Sequence, residues 1–133
     1  MKTTDYFKNK PYEYHETPCH GGSGPWYFKD MIAGMAAPES GSLVRFIHDD
    51  RLPPGSAFGT HRHDEVEGTV FEEWYICLEG SGTMILDGGE VAFSAGDVNV
   101  CRGGGEHGVV NTGNVEMRII VVCAKASAPA VTC

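Results

Sequence analysis

The sequence predicts an all-β fold, and three observations carry that reading. Glycine is abundant, with 18 residues among 133, about twice its average share of ~7%. Short apolar or alternating segments recur between clusters of turn-forming residues, the pattern of a barrel or sandwich. No stretch holds the 3.6-residue apolar period of a helix.

The elements follow in order. Residues 1–41 are read as a polar, aromatic-rich arm holding Tyr6, Phe7, Tyr12, Tyr14, Trp26, Tyr27 and Phe28. Aromatic rings need burial, so the arm is expected to pack on the outer face of the domain or on a second subunit. Residues 42–124 are read as the domain proper. Its predicted strands are Ser42–His48, Gly59–His63, Glu72–Glu79, Gly82–Leu86, Glu90–Phe93, Asp97–Cys101, Gly108–Asn111 and Glu116–Val122. The separators are Pro53-Pro54-Gly55, Gly80-Ser81-Gly82, Asp87-Gly88-Gly89, Ala95-Gly96, Gly103-Gly104-Gly105 and Asn111-Thr112-Gly113. Such glycine-rich pairs between apolar runs are hairpin signals. Residues 125–133 read as a loose tail of small residues.

Composition narrows function. The length is that of one domain, long enough to bury a core without disulfides. The formal net charge of −8 argues against nucleic acid and against anionic membrane surfaces, which both attract positive proteins. The longest apolar run, Ile119 to Ala124, falls far short of the ~20 residues of a membrane span. The five cysteines are odd in number and lack C-x-x-C spacing, which weakens both a disulfide framework and a zinc ribbon. Cys77 and Cys123 sit in apolar runs as small core residues. Free thiols and a polar N-terminus lead to an expected cytoplasmic location.

Three segments carry chemistry. His61 and His63 stand two apart in a predicted strand, so both imidazoles share a face while Arg62 points away. Glu73 shares a face with Tyr75 and Cys77, and a carboxylate there is costly to bury without a cationic partner. His107 follows the glycine run Gly103-Gly104-Gly105 and opens the next strand. Each piece alone is ordinary. Their joint spacing is not. Gly55, His61-x-His63, Glu73 and Gly80 form one pattern, and Gly96, Arg102-Gly103-Gly104, His107 and Asn111 a second.

This pair of patterns resembles the two signature motifs of the cupin superfamily, over residues 55–111 and, with the flanking strands, about 42–123. The resemblance implies a small jelly-roll β-barrel, or double-stranded β-helix, holding one divalent metal ion. The ligands it implies are His61, His63, Glu73 and His107. It places Gly55, Gly80, Gly96 and Gly104 at turns. Two departures stand out. Arg102 occupies a position usually held by Pro, and nine residues, Asp64 to Glu72, separate His63 from Glu73 where the family has three or four. Glu67 would satisfy the shorter spacing. Glu73 is preferred because it begins a strand and lies six residues before Gly80. The inserted acidic loop is expected near the barrel mouth, as a solvated loop or a lid.

Nitrogen and oxygen ligands without thiolate suit Fe, Mn, Ni, Co, Cu or Zn. Such an ion polarises carbonyls, stabilises enolates or activates O₂. Tyr75 is the candidate acid/base or hydrogen-bond donor. Arg45 and His48 have opposite parity in their strand, so at most one is expected to face inward. Small acids, enediols and phenols that chelate through two oxygens fit the site. The reading is a metal-dependent enzyme of dioxygenase, lyase, decarboxylase or isomerase type. The alternative is a non-catalytic metal or small-ligand binding module, and an acid/base residue lining the cavity would favour the enzyme. Edge strands and the resemblance point to a homodimer.

Overall fold

The computed structural model describes residues 3–127; residues 128–133 of the expected tail, with Cys133, lie outside them. Among the described residues ten strands form two antiparallel sheets. They are β1 (Glu13–His15), β2 (Trp26–Asp30), β3 (Val44–Leu52), β4 (Ala57–Arg62), β5 (Phe71–Glu79), β6 (Ser81–Leu86), β7 (Gly89–Ser94), β8 (Val98–Cys101), β9 (Glu106–Val110) and β10 (Met117–Lys125). One sheet has the order β1-β2-β3-β10-β5-β8 and the other β4-β9-β6-β7. Two antiparallel sheets with these crossovers make a jelly roll.

Period-two burial makes the strands. In β5, Phe71, Glu73, Tyr75 and Cys77 are buried while Glu72, Trp74 and Ile76 are half-buried. In β10, Met117, Ile119, Val121 and Cys123 are buried in the same alternation. Asp87 and Gly88 join β6 to β7 with φ of 44° and 83°, the two left-handed residues that a tight hairpin turn requires. The four motif glycines Gly55, Gly80, Gly96 and Gly104 have φ of 84°, 82°, 97° and 85°, which costs glycine little.

The register sorts the interior into rows. At one end Leu52 pairs with Met117; both are fully buried, with Met84 and Val109, and form the closed core. At the other end Cys123 pairs with Phe46 and with Glu73, and there the sheets enclose a cavity of about 260 Å³.

Strand β3 runs past the predicted end at His48 to Leu52. The polar run Asp49-Asp50-Arg51 continues the strand beyond that end. Asp49 is fully buried on the outer face, bound by Arg118 through Nε at 3.1 Å and Nη2 at 2.9 Å, with Lys29 Nζ at 3.7 Å. Lys29 lies over the ring of Tyr12, so part of the arm covers this face. The arm also supplies β1 and β2, which extend the sheet beyond β3. Trp26 and Phe28 of β2 line the cavity.

Arg45 and His48 both line the cavity, against the expectation from parity. The pairing of Cys123 with Phe46 shifts so that Ala124 pairs with Val44. Arg45 is thus the extra residue of a β-bulge, and a bulge resets the alternation of side chains.

Candidate metal centre

Both sheets contribute to the cluster. His61 in β4 and His107 in β9 are direct partners in register. His63 lies one residue beyond β4. The glycine turn holds it there, with Gly104 N–H donating to the His63 carbonyl at 2.8 Å and His63 N–H to the Gly105 carbonyl at 3.3 Å. Glu73 faces them from β5. The four residues offer donor atoms that all lie within 4.8 Å of one another. Glu73 Oε1 is 3.1 Å from His107 Nε2, 3.3 Å from His63 Nε2 and 3.6 Å from His61 Nε2. His63 Nε2 and His107 Nε2 are 3.0 Å apart.

The donor set fits a metal ion. With metal–ligand bonds of about 2.1 Å, adjacent donors sit about 3.0 Å apart at right angles and about 3.4 Å apart in a tetrahedron, which brackets the 3.0, 3.1 and 3.3 Å separations, while the 3.6 Å from Glu73 to His61 is wider. The tautomers fit as well. His107 Nδ1–H donates to Asn99 Oδ1 at 2.8 Å, and His61 Nδ1–H to the Gly59 carbonyl at 2.9 Å. Both Nε2 lone pairs therefore face the cluster, as outer hydrogen bonds arrange in metal sites. His61 Nε2 is buried without a hydrogen-bond partner, an orphan that a cation would satisfy.

Electrostatics agree. Burial alone would raise Glu73, but the imidazoles of His107, His61 and His63 around it outweigh that and hold the carboxyl far below the usual carboxylate range. Burial pushes His107 below the ordinary histidine value. His61 is instead raised, its burial outweighed by the Glu73 carboxylate and the Gly59 carbonyl.

Glu67 is elsewhere. It sits at φ 48° beside Gly68 at 79°, in a tight turn closed by Val66 and Thr69 through two 2.9 Å backbone hydrogen bonds. Of the acidic loop, Asp64 and Val66 reach the cavity lining. Arg102 is exposed and 3.9 Å from Glu72, away from the cluster. Asn111 is structural. Its Nδ2 donates to the carbonyls of Leu52 and Val115, each at 2.8 Å.

Tyr75 is buried, and its ring lies 4.3 Å from that of His107 between centroids. Burial, then the negative charge of Glu73, pushes its hydroxyl well above the ordinary tyrosine value. It can therefore donate a hydrogen bond but stays neutral. Cys77 packs in the core, its thiol near the Glu79 carbonyl at 3.4 Å. Cys123 is also buried, and it touches the cavity.

Two residues escape a sequence reading. Asn99 carries no motif signal beyond sharing strand parity with Cys101. His20, in a 3-10 turn over Cys19–Gly21, stacks on His61 with ring centroids 3.8 Å apart. Its only sequence signal is the pair Gly21-Gly22 behind it.

Fold and cluster together define a two-sheet jelly roll with an interior cluster of three histidines and one glutamate able to bind a metal ion. A family described as the cupin domain matches residues 49–123. The chain is 42% identical over 102 residues to the oxalate-binding protein of Thermotoga maritima, covering 77% of this chain and 78% of that one. The chain belongs to the cupin family. Among solved structures it resembles a predicted oxalate decarboxylase from Thermotoga maritima, with a TM-score of 0.76 and 24% identity over 92% of this chain and 100% of that one. It also resembles KdgF from Halomonas sp., with a TM-score of 0.68 and 15% identity over 94% and 96% of the two chains. At these identities the two structures speak for the fold alone.

Proposed function

We propose that this chain is a metal-dependent cupin enzyme acting on a small oxygen-rich organic acid, with His61, His63, Glu73 and His107 as the metal ligands. The observation that carries this reading is the convergence of the four donors at the wall of a cavity that also holds acid/base groups. Tyr75 and His48 line it, and a pocket built only to hold a ligand has little use for them. The bound ion would act as a Lewis acid toward a chelating carboxylate.

The chain's own residues do the rest. Asn99 and the Gly59 carbonyl orient the imidazoles of His107 and His61. Tyr75 offers a hydrogen-bond donor beside the ligand oxygens. Arg45 has a buried Nε without a partner and its guanidinium lies 4.6 Å from the Phe71 ring centroid. It supplies positive charge to an entering anion. The relative named as oxalate-binding supports a short dicarboxylate among the ligands. The reaction class is decarboxylase, lyase, dioxygenase or isomerase.

A second reading, a binding module without turnover, draws on that same printed name. One experiment separates them. Protein loaded with Fe(II), Mn(II) or Zn(II) is titrated with oxalate by calorimetry, then incubated with it and with other small acids, with and without O₂. Product formation lost in a Tyr75→Phe variant that still binds metal supports the enzyme. Tight binding with no product from any acid supports the module. Absence of both metal and ligand binding overturns the whole reading.

We further propose a homodimer in the cytoplasm. The described strand edges β7 and β8 expose Val91 and Val98, and among the described residues no helix is long and apolar enough to cross a membrane. A sedimentation mass of one chain, about 14.3 kDa, at micromolar concentration overturns the dimer.

A further inference from the structure

Asp50 belongs to no part of the machinery above. It lies on β3 and pairs with Phe28 and with Ile119. His48, Val121 and Tyr75 form the row one inward step nearer the cluster, and Phe46, Cys123 and Glu73 the row after that. Asp50 therefore stands on the floor of the cavity, deeper than Tyr75 and away from the metal ligands. It is only 3% exposed, yet its Oδ1 has no hydrogen-bond partner. The nearby cations do not serve it. Arg118 and Lys29 bind Asp49 on the opposite face of the strand.

A buried carboxyl in this state is costly unless something bonds to it. Burial first, then the negative charges of Asp49 and Glu73, pushes it well above the ordinary aspartate value. It lines the cavity with that oxygen unpaired. Trp26, Phe28 and Phe58 flank it with apolar rings. The cavity is about 260 Å³, and Asp50 and the cluster residue Glu73 both line it.

We propose that Asp50 contacts the ligand, donating a hydrogen bond to an oxygen at the far end of a chelating acid. The site would then select a 2-oxo or 2-hydroxy acid with a flat apolar body and a distal hydroxyl or carbonyl. This deepens the functional reading above and rests on it.

The test compares two ligands that differ by one hydroxyl. Phenylpyruvate and 4-hydroxyphenylpyruvate are titrated calorimetrically into Mn(II)-loaded wild type, Asp50→Asn and Asp50→Leu, with oxalate as a third ligand and metal content measured throughout. Wild type is expected to bind the hydroxylated acid at least about tenfold more tightly, because the shorter acid leaves Asp50 unpaired. Asp50→Asn, which still donates through its amide, is expected to keep most of that preference. Asp50→Leu is expected to lose it while holding metal at wild-type stoichiometry. Equal affinities in wild type overturn the proposal, whatever the fate of the variants. An undiminished preference in Asp50→Leu overturns it as well. Binding of oxalate alone overturns the larger ligand but leaves the metal site standing. Failure of all three acids overturns the reading of the pocket as well.

Discussion

The imidazole of His20 lies flat on that of His61, with ring centroids 3.8 Å apart and planes 16° apart. His20 reaches it from a backbone at φ 52°, a conformation uncommon outside glycine. What allows the approach is the crossing of Gly22 and Gly59. A Cβ on Gly59 would meet the His20 carbonyl at 2.0 Å, and one on Gly22 the Ala57 carbonyl at 2.0 Å. The N-terminal turn is therefore clamped onto the strand that carries His61.

Gly59→Ala should push that turn off β4. The atom it meets is backbone, so the neighbour cannot rotate away. A loss of about 1–3 kcal/mol is expected, with weakened metal binding, while His20→Ala should weaken metal binding with little change in Tm. Thermal unfolding and metal titration check both. A wild-type Tm for Gly59→Ala would remove the clamp from this account.

Asn99→Ala frees the Nδ1 side of His107 and should weaken metal affinity ~10–100-fold, as loss of an outer hydrogen-bond partner does. Glu73→Gln should cost more, because it removes the anion itself. Glu67→Gln, in its distant turn, should leave affinity unchanged. Chelator competition measures all three, and a larger loss for Glu67→Gln than for Glu73→Gln would reassign the carboxylate ligand.

Metal binding should weaken sharply below about pH 6, since the imidazoles ligate only when neutral and histidine ordinarily titrates near ~6.5. Bound metal holds their folded values down, so the stability it adds is present at higher pH and is lost as pH falls through those depressed values. The Tm difference between metal-loaded and chelated protein should be large at pH ~7.5 and small near pH ~5. A difference that stays constant across that range would show that histidine does not dominate the site.

Asp49 should be a stability residue. The hydrogen bonds from Arg118 outweigh its burial and lower its folded value. Its contribution is therefore present above the unfolded carboxylate value near ~3.9 and lost as pH falls through the folded one. Asp49→Asn should cost about 2–3 kcal/mol at neutral pH, at the lower end for a broken buried pair because Arg118 is partly exposed. The cost should shrink in acid. Urea unfolding at pH 7 and pH 3 checks the sign.

Asp50 should behave in the opposite way. Its folded value is raised, so the stability linked to it is complete below ~3.9 and is lost as pH rises from there toward the folded value. Asp50→Asn should gain Tm relative to wild type as pH rises above ~4. A gain independent of pH would mean that the buried carboxyl is already ionised.

The fold class was legible because its causes are local. Alternation in β5 and β10, the Asp87-Gly88 turn and the left-handed glycines at Gly55, Gly80, Gly96 and Gly104 are properties of adjacent residues. The four donors were legible through the spacing of His61, His63, Glu73 and His107, which resembles the cupin motifs, whereas parity by itself aligns only His61 with His63. What only the tertiary structure decided depends on partners remote in sequence. The bulge at Arg45 exists because of how β3 registers against β10, and it reverses what parity says of Arg45 and His48. Asp49 and Asp50 look alike in sequence and part ways because one face of β3 meets Arg118 and the other the cavity. His20, Asn99, Trp26 and Phe28 reach the site through contacts across sheets and turns, and no period in the chain encodes those contacts.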